Sequence, residues 1–353
     1  MDNLWWGSVP DPSEMIRQIT EAMQNGNHVV CLIPEQLEWH ETFRSMIAAE
    51  CRDSIKTLKI IDAQKRQDKL PGELLLTEYV THPTVAEGYR RSFGYARYLA
   101  ENDAVSGLSD HYFFVQNASG DSMKEWIRFM TDYQKAHKPD QPACVILLEC
   151  TGKNPGSGNG LQIVDYQNHI KDFDILILCM MASSGLEVRS LLRNYAAGLA
   201  AELGSHDPEF AAELIRHGTD LIRDPEQTVR DVAESSFRSN GAVFPVSSQM
   251  AEKIWRAQVK TFFPVIEEYR LQLIRKYEKE FPVLETITGT FGQDIEDVWD
   301  IDLGTLKYLC DTKKMYLPGP EYQEMCFYRD CRNALAHTNP LPYVSLDQLA
   351  AKN

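Results

Sequence analysis

Several things this sequence lacks bound what it can be. Its 353 residues carry a formal net charge of −15 and a pI near 5.1. There is no broad basic footprint, so a nucleic acid spread over a large surface is excluded, and any RNA must be gripped locally or with a partner's help. Eight cysteines are present but no CxxC pair, and several lie in apolar runs, such as Cys31 in Val-Val-Cys-Leu-Ile and Cys144 in Ala-Cys-Val-Ile-Leu-Leu. They read as buried free thiols of a reducing, cytoplasmic setting. Nine histidines include no HxH and no HExxH, so no zinc site is expected. The opening Met-Asp-Asn-Leu-Trp-Trp-Gly has no basic-then-apolar leader, and no apolar run approaches membrane-spanning length. Nor is there a G-x-x-x-x-G-K-[ST] phosphate loop, so no nucleotide cofactor is expected.

What is present is enough for real cores, with 43% hydrophobic and 10% aromatic residues, and the length suits about two domains. Residues 11–26 read as an amphipathic helix: Asp11-Pro12-Ser13 starts it, Met15, Ile16, Ile19 and Met23 form its face, and Asn25-Gly26 stops it. His28–Pro34 is an unbroken apolar run, the pattern of a parallel strand buried on both faces. Further runs at 58–61, 112–115, 144–148, 161–164 and 175–179 read as strands. Helical patterns at 34–51, 85–101 and 123–136 lie between several of them. Alternating β and α predicts a three-layer α/β domain with a parallel sheet over residues 1–182. Residues 183–239 read as a helical, lid-like region, 240–248 as a linker, and 249–353 as an all-α bundle.

The order of the first pieces resembles AAA+ or STAND-like P-loop NTPases, with 112–115 at the position of a Walker B strand and 144–148 at that of a sensor strand. The chemistry of that family is missing. After Ile33 the chain reads Pro-Glu-Gln-Leu-Glu-Trp-His-Glu-Thr, with no glycine or lysine and with three carboxylates (Glu35, Glu38, Glu41) that would repel a triphosphate. Val115-Gln116-Asn117 stands where a metal-binding Asp is expected. The resemblance therefore implies a degenerate domain unable to hydrolyse ATP. Gly152-Lys153-Asn154-Pro155-Gly156-Ser157-Gly158-Asn159-Gly160 reads as a flexible loop between strands, because its lysine precedes most of the glycines and no helix opens after it.

The most distinctive stretch is Arg332-Asn333-Ala334-Leu335-Ala336-His337. Tyr328, Cys331 and Leu335 fit an apolar helical face. Asn333 and His337, four apart, share another. Asn339-Pro340 ends the helix soon after. Spacing alone allows an exposed helix end with a dipole-matched cation and a capping histidine. The stretch also resembles the R-x4-6-H signature of HEPN-superfamily ribonucleases, including the polar residue after the Arg, in a helical segment of matching length over about 249–353. That resemblance implies metal-independent RNA cleavage by Arg332, Asn333 and His337, leaving a 2′,3′-cyclic phosphate and a 5′-hydroxyl. It also implies a homodimer through the C-terminal bundle and a role in prokaryotic antiviral or toxin systems, with a defence-system protein as a further partner. The alternatives are a non-catalytic adaptor that uses the bundle for dimerisation and, against the missing lysine, an ATPase component.

Other features read as structural. Trp5-Trp6 reads as a plug over the core. Asp294, Glu296, Asp297, Asp300 and Asp302 read as a solvated acidic loop, and Asp165, His169, Asp172 and Asp174 as strand-flanking turn residues.

Overall fold

The computed structural model describes residues 1–52, 54–138, 140–153, 160–244, 249–282 and 295–352. The chain divides into two compact units, 1–174 and 175–353.

Unit 1 opens with α1 (Asp2–Ser8), α2 (Pro10–Gln24), β1 (Val29–Leu32), α3 (His40–Glu50) and β2 (Thr57–Asp62). It continues with α4 (Pro71–Glu78), α5 (Pro83–Gly88), α6 (Tyr95–Ser106), β3 (His111–Ser119), α7 (Gly120–Ala136), β4 (Val145–Thr151), β5 (Gln162–Asp165) and the single turn α8 (Tyr166–His169). The strands form one parallel sheet in the order β2-β3-β4-β1-β5. Alternation along the strands turns Val30, Leu32, Phe113, Val115, Ile146 and Leu148 toward α4, α6 and α7, where Leu75, Leu99, Trp126, Met130 and Tyr133 complete a core. The opposite face is packed by α2, whose Met15, Ile16, Ile19 and Met23 are buried as the sequence pattern requires. Trp5 and Trp6 are fully buried, and Trp6 packs on Phe43 with ring centroids 4.8 Å apart and donates to the Glu38 carbonyl.

The expected helix over 85–101 is instead α5, a short 3-10 turn at Arg91–Phe93, and α6. Gly94 at φ +72° separates the pieces, a conformation that suits glycine.

The expected strand over 175–179 is helical. It lies within α9 (Asp172–Ser183), the helix in which the two units meet along the chain. Asp172 and Asp174 in its first turn match the helix dipole, and Leu, Met and Ala extend it. A short continuous apolar run does not by itself distinguish a strand from a buried helix.

Unit 2 continues with α10 (Ser190–Gly204), α11 (Pro208–Arg216), α12 (Thr219–Arg223), α13 (Pro225–Ser235), α14 (Met250–Tyr277), α15 (Leu303–Asp311), α16 (Gly319–Ala336) and α17 (Tyr343–Lys352). The Asp207 side chain caps α11 by accepting from the Phe210 N–H at 3.0 Å. The region read as a separate lid, 183–239, belongs to the same unit as the bundle: α10 packs on α14 and α17, with Tyr195 against Phe262 at 5.3 Å. Despite Pro264 in its interior, α14 is one helix of 28 residues. Its buried residues Ile254, Ala257, Phe262, Ile266, Leu273 and Ile274 lie on both sides of the proline, and that burial offsets the roughly 3 kcal/mol a mid-helix proline costs. Of the proposed linker, residues 245–248 lie outside the described residues. Phe237 and Val243 pair as an antiparallel bridge, and Phe244 is buried on Phe210.

Candidate functional sites at the end of α16 and at the sheet crevice

The helix α16 is held by its apolar side. Met325, Tyr328, Cys331 and Leu335 are buried, and Tyr328 stacks face to face on Tyr269 of α14 at 3.8 Å. Trp255 of α14 donates its indole N–H to the Leu335 carbonyl at 2.7 Å, which fixes the last turn. The polar set emerges where that apolar side stops. Arg332 and Asn333 are half-buried, and Arg332 Nη1 donates to Asn333 Oδ1 at 3.4 Å. His337 is the C-cap: its backbone N–H donates to the carbonyls of Asn333 and Ala334, while its imidazole is exposed. Among the described residues neither ring nitrogen of His337 has a hydrogen bond or ion pair. The helix end is closed by backbone groups, and Asn339 N–H bonding back to the Ala334 carbonyl completes it. His337 thus occupies the capping position that spacing alone allows, and its imidazole takes no part in the hydrogen bonds of the cap.

A second concentration of polar groups lies in unit 1. The connection leaving β1 runs toward β2 at one edge, whereas that leaving the neighbouring β4 runs toward β5 at the other. Such divergence opens a crevice at the carboxyl ends of the strands. It has a volume of about 370 Å³ and is lined by Pro34, Glu35, His40, Asn117, Glu149 and Thr151, among others. Glu149 is only 1% exposed. Arg44 of α3 grips it in a fork, Nε to Oε2 at 2.9 Å and Nη2 to Oε1 at 2.6 Å, and also donates to Asn117 Oδ1 at 2.6 Å. His40 Nε2 lies 3.2 Å from Glu149 Oε2. Burial opposes ionisation of Glu149, but the hydrogen bonds and charges of Arg44 and His40 outweigh it and hold the carboxyl below its usual range. Asn117, at the expected Walker B position, adopts φ +59° and points its amide oxygen at Arg44.

Arg44, His40 and Glu149 were not among the residues the sequence pattern singled out. The available signal was a lone carboxylate inside the doubly buried run Val145–Thr151, which demands a partner.

The remaining polar clusters act as caps. Asp165 accepts from the Gln167 N–H, Asp174 from Lys171 N–H, and His169 bonds the Asp165 carbonyl and Gln18. Asp297 and Asp302 cap the turns that follow them, and Asp294 lies outside the described residues, as do 154–159 of the glycine loop. All eight cysteines are free, with six buried. No helix among the described residues is long and apolar enough to cross a membrane.

These features define a chain with a parallel α/β domain followed by a helical unit. No family model matches it, and no curated protein matches it. Among solved structures it is distantly similar to the Holliday junction branch migration motor RuvB of Thermotoga maritima, with 11% identity and a TM-score of 0.33 over 72% of this chain and 77% of that one.

Proposed function

We propose that the chain is a metal-independent endoribonuclease of HEPN type whose reactive groups are Arg332, Asn333 and His337. The observation that carries this reading is that, among the described residues, the exposed His337 imidazole makes no hydrogen bond or ion pair at the end of a helix already closed by its own backbone. Transesterification of RNA needs a base to take the 2′-hydroxyl proton as that oxygen attacks phosphorus. It also needs an acid to protonate the departing 5′-oxygen, and a cation for the charge on the non-bridging oxygens. Histidine suits proton transfer near neutrality. Arg332, always charged, is the fork for phosphate oxygens, and Asn333, already bonded to it, orients it. One Arg and one His per chain make a site shared by two copies chemically sensible. The HEPN resemblance of the motif implies that such an activity would serve antiviral defence or a toxin system.

We infer further that unit 1 is a degenerate P-loop-like domain that regulates rather than hydrolyses. Support comes from the crevice at β1 and β4, lined by Pro34 and Glu35 in place of a phosphate loop and by Glu149, whose carboxylate is held by Arg44. A non-catalytic adaptor is the second reading, favoured by the net charge of −15.

The test is purified full-length protein on total RNA in EDTA, beside Arg332→Ala and His337→Ala at matched melting temperature. Each substitution is expected to reduce cleavage by at least about 10²–10⁴-fold, the usual value of general acid–base help, with stability within about 0.5 kcal/mol of wild type. Equal cleavage by all three proteins would remove the case for His337.

A further inference from the structure

Within unit 2, a groove of about 560 Å³ is lined by Glu187, Val188, Arg189, Leu192, Thr219, Arg223, Tyr343 and Asp347. Its lining sets two arginines against two carboxylates, so it is charge-balanced within a chain of net charge −15. Two exposed arginines, Arg189 and Arg223, flank a half-buried tyrosine ring at the start of α17. The Arg223 guanidinium lies over the Tyr343 ring, 5.4 Å from its centroid. Arg189 rests on Asp347 at 2.6 Å, and both side chains are about half exposed. An exposed pair of this kind is worth little, so a phosphate can replace the carboxylate at small cost. Arg193 shapes the rim by donating to the carbonyls of Leu186 and Val188.

The groove stands in fixed register with the end of α16. His337 and Tyr343 are six positions apart, so their backbones lie within about 21 Å at roughly 3.5 Å per residue. The connector between them is clamped: Gln258 of α14, itself buried, accepts from the Leu341 N–H at 2.6 Å and donates to the Leu341 carbonyl at 3.0 Å and to Tyr195 at 3.3 Å. A second hollow, of about 240 Å³, is lined by Pro340, Leu341 and Pro342 and shares Arg223 and Tyr343 with the first.

Resting on the ribonuclease reading, we propose that this groove is the subsite that holds single-stranded RNA beside the cleavage residues, with a base on Tyr343 and Arg223 and a phosphate on Arg189. A volume of several hundred Å³ suits a nucleotide-sized occupant. An aromatic face with an arginine is the sequence-tolerant platform that single strands use. A duplex would instead require a wide basic surface, which a chain of net charge −15 does not offer. Local grip at two arginines also answers how so acidic a protein retains an anionic substrate.

The test measures fluorescence anisotropy of a labelled dodecauridylate in EDTA with full-length His337→Ala protein, so that no cleavage disturbs the signal. Arg189→Gln and Arg223→Gln in that background are each expected to weaken binding about tenfold, and Arg189→Gln, which removes the phosphate contact, to reduce the slope of log affinity against log salt by about 0.7. Tyr343→Phe is expected to retain affinity and Tyr343→Leu to lose it, with circular dichroism melting curves confirming the fold. Binding that all three loss variants leave unchanged would overturn the groove, as would no binding at all. Groove-dependent binding by a wild type that cleaves no RNA would leave the groove standing and remove the ribonuclease reading. Cleavage that is indifferent to the groove variants would do the reverse.

Discussion

At the scale of single residues, the least comfortable groups lie at the amino ends of the strands. Asp103 of α6 accepts from the Tyr133 hydroxyl and from the Cys144 N–H at 2.8 Å, and burial pushes its carboxyl up to about 7. His28, 5.4 Å from the Tyr133 ring, accepts from the Ile146 N–H at 3.0 Å, and burial pushes its imidazole down to about 4. The two shifts act in opposite directions on stability. Asp103 is protonated in the folded state where the unfolded chain is ionised, so its contribution is full below about 3.8 and is lost as pH rises through about 7. His28 stays neutral in the folded state, so its contribution is full above about 6.5 and is lost as pH falls toward about 4. Between those limits they nearly cancel. Relative to wild type, Asp103→Asn is therefore expected to lose stability on acidification from about pH 6.5 to 4, and His28→Asn to lose it on alkalinisation from about 4 to 7. Each change is on the order of 3 kcal/mol, read as urea midpoints across pH. Parallel pH curves for wild type and both variants would refute this pairing. Neither residue was legible as a site in the sequence. Asp103 sits in an ordinary amphipathic helix, and only the fold brings its carboxyl to Tyr133 of α7 and the Cys144 amide.

At the scale of elements, the sheet was legible wherever a strand is buried on both faces. Val29–Leu32 and Val145–Leu148 are uninterrupted apolar runs, and both lie in interior strands of the sheet. Legibility failed where the same signal serves a helix, as in α9, and where packing overrides local chemistry, as at Pro264 in α14. It failed also for the tie between α3 and β4, because Arg44 and Glu149 are 105 positions apart and ordinary in isolation. That tie sets a prediction. Arg44→Met strands a buried carboxylate and is expected to cost about 3–5 kcal/mol, whereas Arg44→Met with Glu149→Leu should recover most of the loss. The pH response should change sign as well. In wild type the contribution of Glu149 is present above about 4.5 and is lost as pH falls through its lowered folded value. With Arg44 gone, burial raises the carboxyl, and stability should instead fall as pH rises. Calorimetric unfolding of the three proteins from pH 3 to 8 reads both effects. A double variant less stable than Arg44→Met would show that the pair is not what joins the helix to the strand.

At the scale of the whole molecule, the ribonuclease reading proposed above raises the question of how many copies would form one reactive site. The large aromatic side chains of the bundle are mostly spent within the chain. Phe262 and Tyr277 are buried, Tyr269 is stacked on Tyr328, and Trp255 is bonded to Leu335. Surplus aromatic area is thus a weak argument for a homodimer, and the chemistry is the stronger one. Cleavage needs both a base and an acid, and the end of α16 supplies one imidazole per chain. A two-fold axis beside His337 would bring the second imidazole and a second arginine to the same phosphate, because a symmetric interface presents the same patch from each side. Mixing measures this directly. When wild type is unfolded, mixed with an equal amount of His337→Ala and refolded together, a shared site leaves about one quarter of dimers fully intact by random pairing. Activity should then fall to about a quarter of the undiluted value and follow the square of the wild-type fraction. Self-sufficient chains would retain half and follow a straight line. Light scattering on the same samples gives the mass. A straight line from particles of monomer mass would mean that one His337 performs both proton transfers in turn, and the requirement for a second copy would go.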